Sequence, residues 1–299
     1  MQTARATDEL LPQPRIDDFF VCIGAQKSGT TWLARVLSSH PDLFMTPVKE
    51  IHYFDHVQGI TQHLSDKKRR SRYRKFYQKL FTQWGKLAEN RAQWSWYRTY
   101  MRAPIDDAWY ASLFAGRGGR RFAGEATPEY AITGVDGLRH IQRLAPAARV
   151  LFIMRNPVTR AWSQALHHCR STNRDATRLS VEELIALMHE APNFTALCDY
   201  AATLDALGAV FPPQQVSILF YEDMHADRER ALRKVCAFIG LPFDAKSMPE
   251  LGRRFNRSQD AALPEALRAH LRQAFRGQAD AVRAKVGRLP PSWETEFKV

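Results

Sequence analysis

Short apolar runs alternate along the chain with segments of helical periodicity. Five runs read as strands, at 19–24, 43–45, 121–125, 149–154 and 216–221. In the fourth, Val150, Leu151, Phe152, Ile153 and Met154 are apolar at consecutive positions, as in a strand covered on both faces. A helix is predicted over 30–39, with Trp32, Leu33, Val36 and Leu37 on one face and Pro41 just beyond its end. Another opens at Ser180, where Glu183 three residues on completes a capping-box pattern. A third carries Leu197, Tyr200, Ala201 and Leu204 and stops before Pro212-Pro213. The tail after Ala261 reads as helical and adds no functional signal. Strands alternating with helices, with no internal repeat, predict an α/β fold around a parallel sheet.

Residues 56–103 break the alternation. They hold a basic run, Lys67-Lys68-Arg69-Arg70-Ser71-Arg72-Tyr73-Arg74-Lys75, followed by Trp84, Trp94, Trp96, Tyr97 and Tyr100. Tyr73, Phe76 or Tyr77, and Leu80 recur at helical spacing, which suits an amphipathic helix with a solvated basic face. The alternative is a lid that recognises an anionic, ring-bearing acceptor. The chain is otherwise expected to be one domain over 1–299, with a polar N-terminal tail at 1–18.

At 299 residues, 45% hydrophobic and 25% charged, the chain has ordinary globular composition. Lys plus Arg total 43 against 31 acids, a net charge of +12, which favours anionic partners. No apolar run approaches the ~20 residues of a membrane span, and the start has no signal-peptide pattern. Cys22, Cys169, Cys198 and Cys236 are far apart and lack metal-type spacing, so free thiols, no metal site and a cytoplasmic location are expected.

Gly24-Ala25-Gln26-Lys27-Ser28-Gly29-Thr30-Thr31-Trp32 follows the first strand and opens the first helix, the context of a phosphate-cradling loop. Glycines let the backbone approach phosphate oxygens, and the N–H groups of a helix start point at the anion. A Walker A loop would place lysine directly after the second glycine. Here Thr30 follows Gly29 and the lysine sits earlier, at Lys27. After the fourth strand, Arg155 and Ser163 are spaced to clamp one phosphate, and Pro157 suits a first helical turn.

Gln26-Lys27-Ser28-Gly29-Thr30-Thr31-Trp32-Leu33 resembles the 5′-phosphosulfate loop of the sulfotransferases that use 3′-phosphoadenosine 5′-phosphosulfate. Arg155-Asn156-Pro157-Val158-Thr159-Arg160-Ala161-Trp162-Ser163 resembles the same family's 3′-phosphate motif, and the two occur in the family's order. Lys49-Glu50-Ile51-His52-Tyr53-Phe54-Asp55 is similar to a stretch of the carbohydrate sulfotransferases that modify heparan sulfate, in which the glutamate is the general base. Taken alone, Glu50 beside Lys49 reads as a solvated pair, and His52 and Asp55 as structural hydrogen-bonders. Gly124-Glu125-Ala126-Thr127-Pro128-Glu129-Tyr130 looks like the family's Glu-Lys-x-Pro-x-Tyr segment, with Ala126 where the family has lysine. Arg254 and Ser258 fall where the family places a basic loop over the nucleotide.

The resemblance implies a three-layer α/β/α fold of the P-loop type with a central parallel sheet. It implies sulfuryl transfer from that donor to a hydroxyl of a saccharide or glycolipid, possibly anionic, with release of adenosine 3′,5′-bisphosphate and without a metal. Glu50 is then the base, Lys27 stabilises the leaving oxygen, and His52 and Asp55 orient the base or the acceptor. The motifs match carbohydrate and bacterial members most closely. Two other classes fit parts of the pattern: a nucleotide-triphosphate-dependent kinase, and a basic nucleic-acid binder using residues 67–75 with Trp94 or Trp96.

Overall fold

A computed structural model describes residues 14–82, 87–190, 193–253 and 261–298. The chain forms strands β1 (Phe19–Gly24), β2 (Leu43–Met45), β3 (Phe122–Ala126), β4 (Arg149–Met154) and β5 (Val216–Phe220). All pair in parallel, in the order β2-β3-β1-β4-β5. The central strands β1 and β3 are buried throughout, whereas the edge strands β2 and β5 are partly open.

The helices are α1 (Thr30–Leu37), α2 (Tyr53–Val57), α3 (Asp66–Thr82), α4 (Leu87–Tyr100), α5 (Asp107–Ala115), α6 (Gly134–Leu144) and α7 (Pro157–Ser171). They continue with α8 (Val181–Glu190), α9 (Tyr200–Val210), α10 (Tyr221–Ala226), α11 (Arg228–Ile239), α12 (Glu265–Val286) and α13 (Pro291–Phe297). Alternation along the strands sorts them into layers. Phe20, Cys22, Leu151 and Ile153 face α1 and α11, packing with Leu33, Val36, Leu232 and Val235. Phe19, Val21, Val150 and Phe152 face the opposite core, which takes in α6, α7, α9 and α12. The result is the expected three-layer α/β/α architecture.

Several boundaries differ from expectation because pairing and packing override local pattern. The third strand is displaced by one residue, since Arg121 precedes the register with β2 and Ala126 still belongs to the strand. Tyr221 leaves the fifth strand to start α10, and the first helix ends at Leu37 rather than 39. Leu197 lies in a short 3₁₀ turn, Ala196–Cys198, ahead of α9. The capping box forms reciprocally: Ser180 N–H donates to Glu183 Oε2 at 2.7 Å and Glu183 N–H to Ser180 Oγ at 3.2 Å.

The tail after Ala261 is helical, as expected, and it closes the larger core, burying Leu267, Leu271, Phe275, Trp293 and Phe297. One expectation needs correction. The basic run is helical, in α3, but it is not uniformly solvated. Arg69 is 2% exposed and donates to the carbonyls of Tyr100 and, at 2.6 Å, Arg102, pinning α3 to the end of α4. All four cysteines are buried and free. Among the described residues, no helix is long and apolar enough to cross a membrane.

Candidate active site

The loop after β1 turns sharply at the C-terminal edge of the sheet, where parallel α/β folds bind ligands. Gly24 and Gly29 adopt φ of 149° and 83°. A Cβ on Gly24 would meet the Pro128 carbonyl at 2.9 Å, and one on Gly29 would meet Met224 Cε at 2.6 Å. Lys27 also lies in the left-handed region, at φ 68°, a strained conformation of the kind found at functional sites. α1 begins at Thr30 with no side-chain cap, so its first N–H groups face the cavity opened by the loop. The Ser28 hydroxyl is buried without a hydrogen-bond partner and lies outside that cavity.

The second motif arrives from β4. Asn156 caps α7 by accepting from Val158 N–H at 3.0 Å, and Pro157 occupies the first turn as expected. Arg155 is fixed from three sides. It donates to Thr159 Oγ1 at 3.1 Å and to the Lys27 carbonyl at 2.9 Å, and its guanidinium lies 4.7 Å from the Tyr221 ring centre. Ser163 follows on the inner face of α7. Burial, together with Arg155 and Arg170, pulls Lys27 down to about 8. Adding an anion among these cations relieves that repulsion.

The segment after β2 brings Glu50, His52 and Asp55 into one line. Thr61 donates to Asp55 Oδ2, and the same oxygen lies 2.9 Å from His52 Nδ1. The other ring nitrogen, Nε2, is 3.8 Å from Glu50 Oε2, and Glu50 Oε1 accepts from Lys49. Lys49 in turn reaches Thr30 Oγ1, at the start of α1, at 3.3 Å. Burial would lower the His52 imidazole, but the Asp55 hydrogen bond and the charges of Glu50 and Glu129 raise it to about 9. Burial would raise the Glu50 carboxyl, yet the cations His52 and Lys49 outweigh it and hold the group at about 2. His52 is therefore an imidazolium near neutral pH, and Glu50 is ionised. The donor atoms of His52, His63 and Glu129 lie within 4.8 Å of one another.

Glu125 of β3 anchors this segment from below. Its carboxyl accepts from Tyr110 Oη at 2.5 Å, Thr127 Oγ1 at 2.8 Å, Tyr130 Oη at 2.9 Å and the Ile51 N–H at 3.2 Å. Tyr130 Oη also accepts from the Tyr53 N–H at 3.0 Å. Ala126, one residue on, points to the opposite layer among Trp32 and Leu33, so that position offers the cavity nothing. Glu129 accepts from Gln26 at 3.0 Å and connects the loop after β1 to the surroundings of His52.

These elements enclose a cavity of about 540 Å³. Of the residues predicted from sequence, Gln26, Lys27, Gly29, Thr30, Thr31, Trp32, Glu50, Arg155 and Ser163 line it. Ser28, His52 and Asp55 stand behind the lining, and Arg254 and Ser258 lie outside the described residues. The sequence reading missed Lys49 as a lining cation, Glu129, and His167 and Arg170 of α7. It also missed Tyr221, Met224, His225 and Arg228. A signal existed for two of these: His167 and Arg170 follow Ser163 by four and seven residues and share its helical face. Among the described residues of the 56–103 insertion, none lines the cavity.

A family model described as the sulfotransferase family matches residues 19–245. The crystal structure of a sulfotransferase from Alicyclobacillus acidocaldarius is similar over 93% of this chain and 99% of that one, with 26% identity and a TM-score of 0.64. The sulfotransferase domain of the Synechococcus PCC 7002 olefin synthase shares the fold, at 18% identity, a TM-score of 0.53, and coverage of 99% and 96%. Among curated proteins, none matches this chain.

Proposed function

The chain belongs to the sulfotransferase family, and on that premise we propose that it moves a sulfuryl group from 3′-phosphoadenosine 5′-phosphosulfate to a hydroxyl. The observation that carries this reading is the cavity itself. Lys27, Lys49, Arg155, Arg170 and Arg228 line it against the carboxylates Glu50 and Glu129, an excess of cations suited to an anionic nucleotide.

The residues fit such a donor. The glycine-flanked loop after β1 and the uncapped start of α1 offer backbone donors to the 5′ end, with Lys27 beside them. Arg155 and Ser163 are assigned to the 3′-phosphate, joined by Arg170 and His167 of the same helix face. The donor supplies the activated sulfuryl group. Lys27 stabilises negative charge on the leaving oxygen, a contribution of a few kcal/mol for a well-placed donor, about 3.

Glu50 is assigned as the base that takes the acceptor hydroxyl's proton. With a value near 2, it is ionised but weakly basic while Lys49 and His52 both hold it. A bound dianion competes with Glu50 for Lys49, whose ammonium already touches Thr30 at the phosphate loop. Loading the donor thus strengthens the base in the complex where it is needed. His52 and Asp55 position Glu50 through the Thr61-Asp55-His52 chain. The acceptor is read as a saccharide or glycolipid from the likeness of residues 49–55 to carbohydrate-modifying enzymes.

The test is an acceptor screen with labelled donor across saccharides, glycolipids and phenols. Labelled product with stoichiometric adenosine 3′,5′-bisphosphate is expected from a saccharide or glycolipid. Glu50→Gln should lower kcat by about 100-fold or more while sparing donor affinity. Near-normal turnover of that variant would remove Glu50 as base, and labelling of phenols alone would overturn the acceptor class.

A further inference from the structure

We propose that the paired helices α3 and α4 form a docking surface for an anionic membrane, separate from the transfer cavity. α3 carries eight lysines and arginines against the single acid Asp66. The two helices run antiparallel, because Arg72 of α3 donates to Tyr100 Oη while Phe76, one turn on, stacks on Tyr97 at 4.1 Å. On α3 the exposed residues Lys67, Arg70, Arg74 and Tyr77 follow one another at spacings of three and four, which makes a stripe. On α4 the exposed residues Arg91, Trp94 and Arg98 do the same, with the Arg98 guanidinium 5.7 Å from the Trp94 ring.

The stripes share one side of the pair. Tyr77 follows the contact residue Phe76 by one position, as Arg98 follows Tyr97. In antiparallel helices, equal rotations from the contact carry both side chains the same way. The register also sets Tyr77 level with Trp94. Among the described residues, the most exposed large hydrophobics are Val57, Tyr77 and Trp94, and all lie within the insertion. Cations interleaved with an exposed tryptophan and tyrosine are the composition of a surface that rests in a lipid headgroup layer.

An anionic polysaccharide would also be attracted, but the stripes cover the outer side of two helices rather than a groove for one chain. Arg69 is not part of this face, since its guanidinium is spent on the carbonyls of Tyr100 and Arg102. The proposal does not depend on the nucleotide reading, because no residue of either stripe lines the cavity.

The experiment is co-sedimentation of the full chain with vesicles of phosphatidylcholine alone and of phosphatidylcholine mixed with phosphatidylglycerol. The wild type should partition onto the mixed vesicles and not the neutral ones, and added salt should release it. The triple variant Lys67→Gln, Arg70→Gln, Arg74→Gln should lose about 100-fold in partition, from three surface cations. Its turnover of a soluble acceptor and its Tm should stay at wild-type values. Trp94→Ala should weaken partition without altering turnover. Equal binding to both vesicle types, or an unchanged triple variant, overturns the proposal. Retention on heparin with no vesicle binding would assign the face to a polysaccharide and equally overturn it.

Discussion

Arg155, at the end of β4, donates to the Lys27 carbonyl in the loop after β1 at 2.9 Å. One side chain therefore joins the two motifs that the sequence places more than a hundred residues apart. Arg155→Ala should raise the Kd of adenosine 3′,5′-bisphosphate about 10- to 100-fold, the worth of a charge-assisted contact. Adenosine 5′-phosphate should lose much less. Arg155→Lys should restore only part of the loss, since an ammonium cannot bridge Thr159 and Lys27 as the guanidinium fork does. Isothermal titration with the two nucleotides checks this, and equal losses for both would contradict the assignment.

The His52 proton stabilises the fold over a defined pH range. Its value of about 9 lies above the ordinary 6.5, so the contribution is complete below pH 6.5 and drains away as pH rises through 9. Glu50, held at about 2, contributes above its ordinary 4.5 and loses that only as pH falls toward 2. Lys27, pulled down to about 8, acts in the opposite sense to His52 as pH rises. The readout is therefore the difference in Tm between wild type and His52→Asn. It should be largest near pH 6 and shrink toward pH 10. Parallel Tm curves would mean that the ring carries no extra proton.

Glu125 transmits sheet geometry to Glu50, the proposed base. Glu125→Leu leaves the Tyr110, Thr127 and Tyr130 hydroxyls and the Ile51 N–H without their acceptor. A loss of about 3 kcal/mol or more is expected in denaturant unfolding. Glu125→Gln keeps an acceptor and should cost less. Because Ile51 directly follows Glu50, the Gln variant should lower kcat more than it raises the Kd of the nucleotide. The reverse order would separate Glu125 from the base.

Neighbours in the basic run should behave differently. Arg69→Gln removes the donors to the buried Tyr100 carbonyl and the part-buried Arg102 carbonyl and should cost about 2–3 kcal/mol. Arg70→Gln, on the exposed face, should stay within about 0.5 kcal/mol of wild type. Equal costs in a thermal or denaturant melt would put Arg69 on the surface.

The sheet was legible because β1 and β4 are covered on both faces, and consecutive apolar residues record that directly. The ends of β3 and β5 were less so, since pairing with β2 and the turn into α10 decide them. Lys27, Arg155 and Ser163 were legible as cavity residues because the glycine-flanked loop after β1 and the strand-to-helix junction after β4 leave a plain mark in the sequence. Tyr221, Met224 and Arg228 were not. They reach the cavity only because β5 lies beside β4, and a local pattern carries no sheet order. Arg69 and Arg70 look alike in sequence, and only the approach of α4 buries one of them. The contact between Lys49 and Glu50 was read as a solvated pair, whereas the fold turns Lys49 toward Thr30 at the start of α1.

The most direct test of the central claim is the nucleotide selectivity of the cavity in the wild-type chain. Titration calorimetry should show adenosine 3′,5′-bisphosphate binding at least about tenfold more tightly than adenosine 5′-phosphate, with or without magnesium. Equal affinity for the two, or a preference for magnesium ATP over the bisphosphate, would contradict the account.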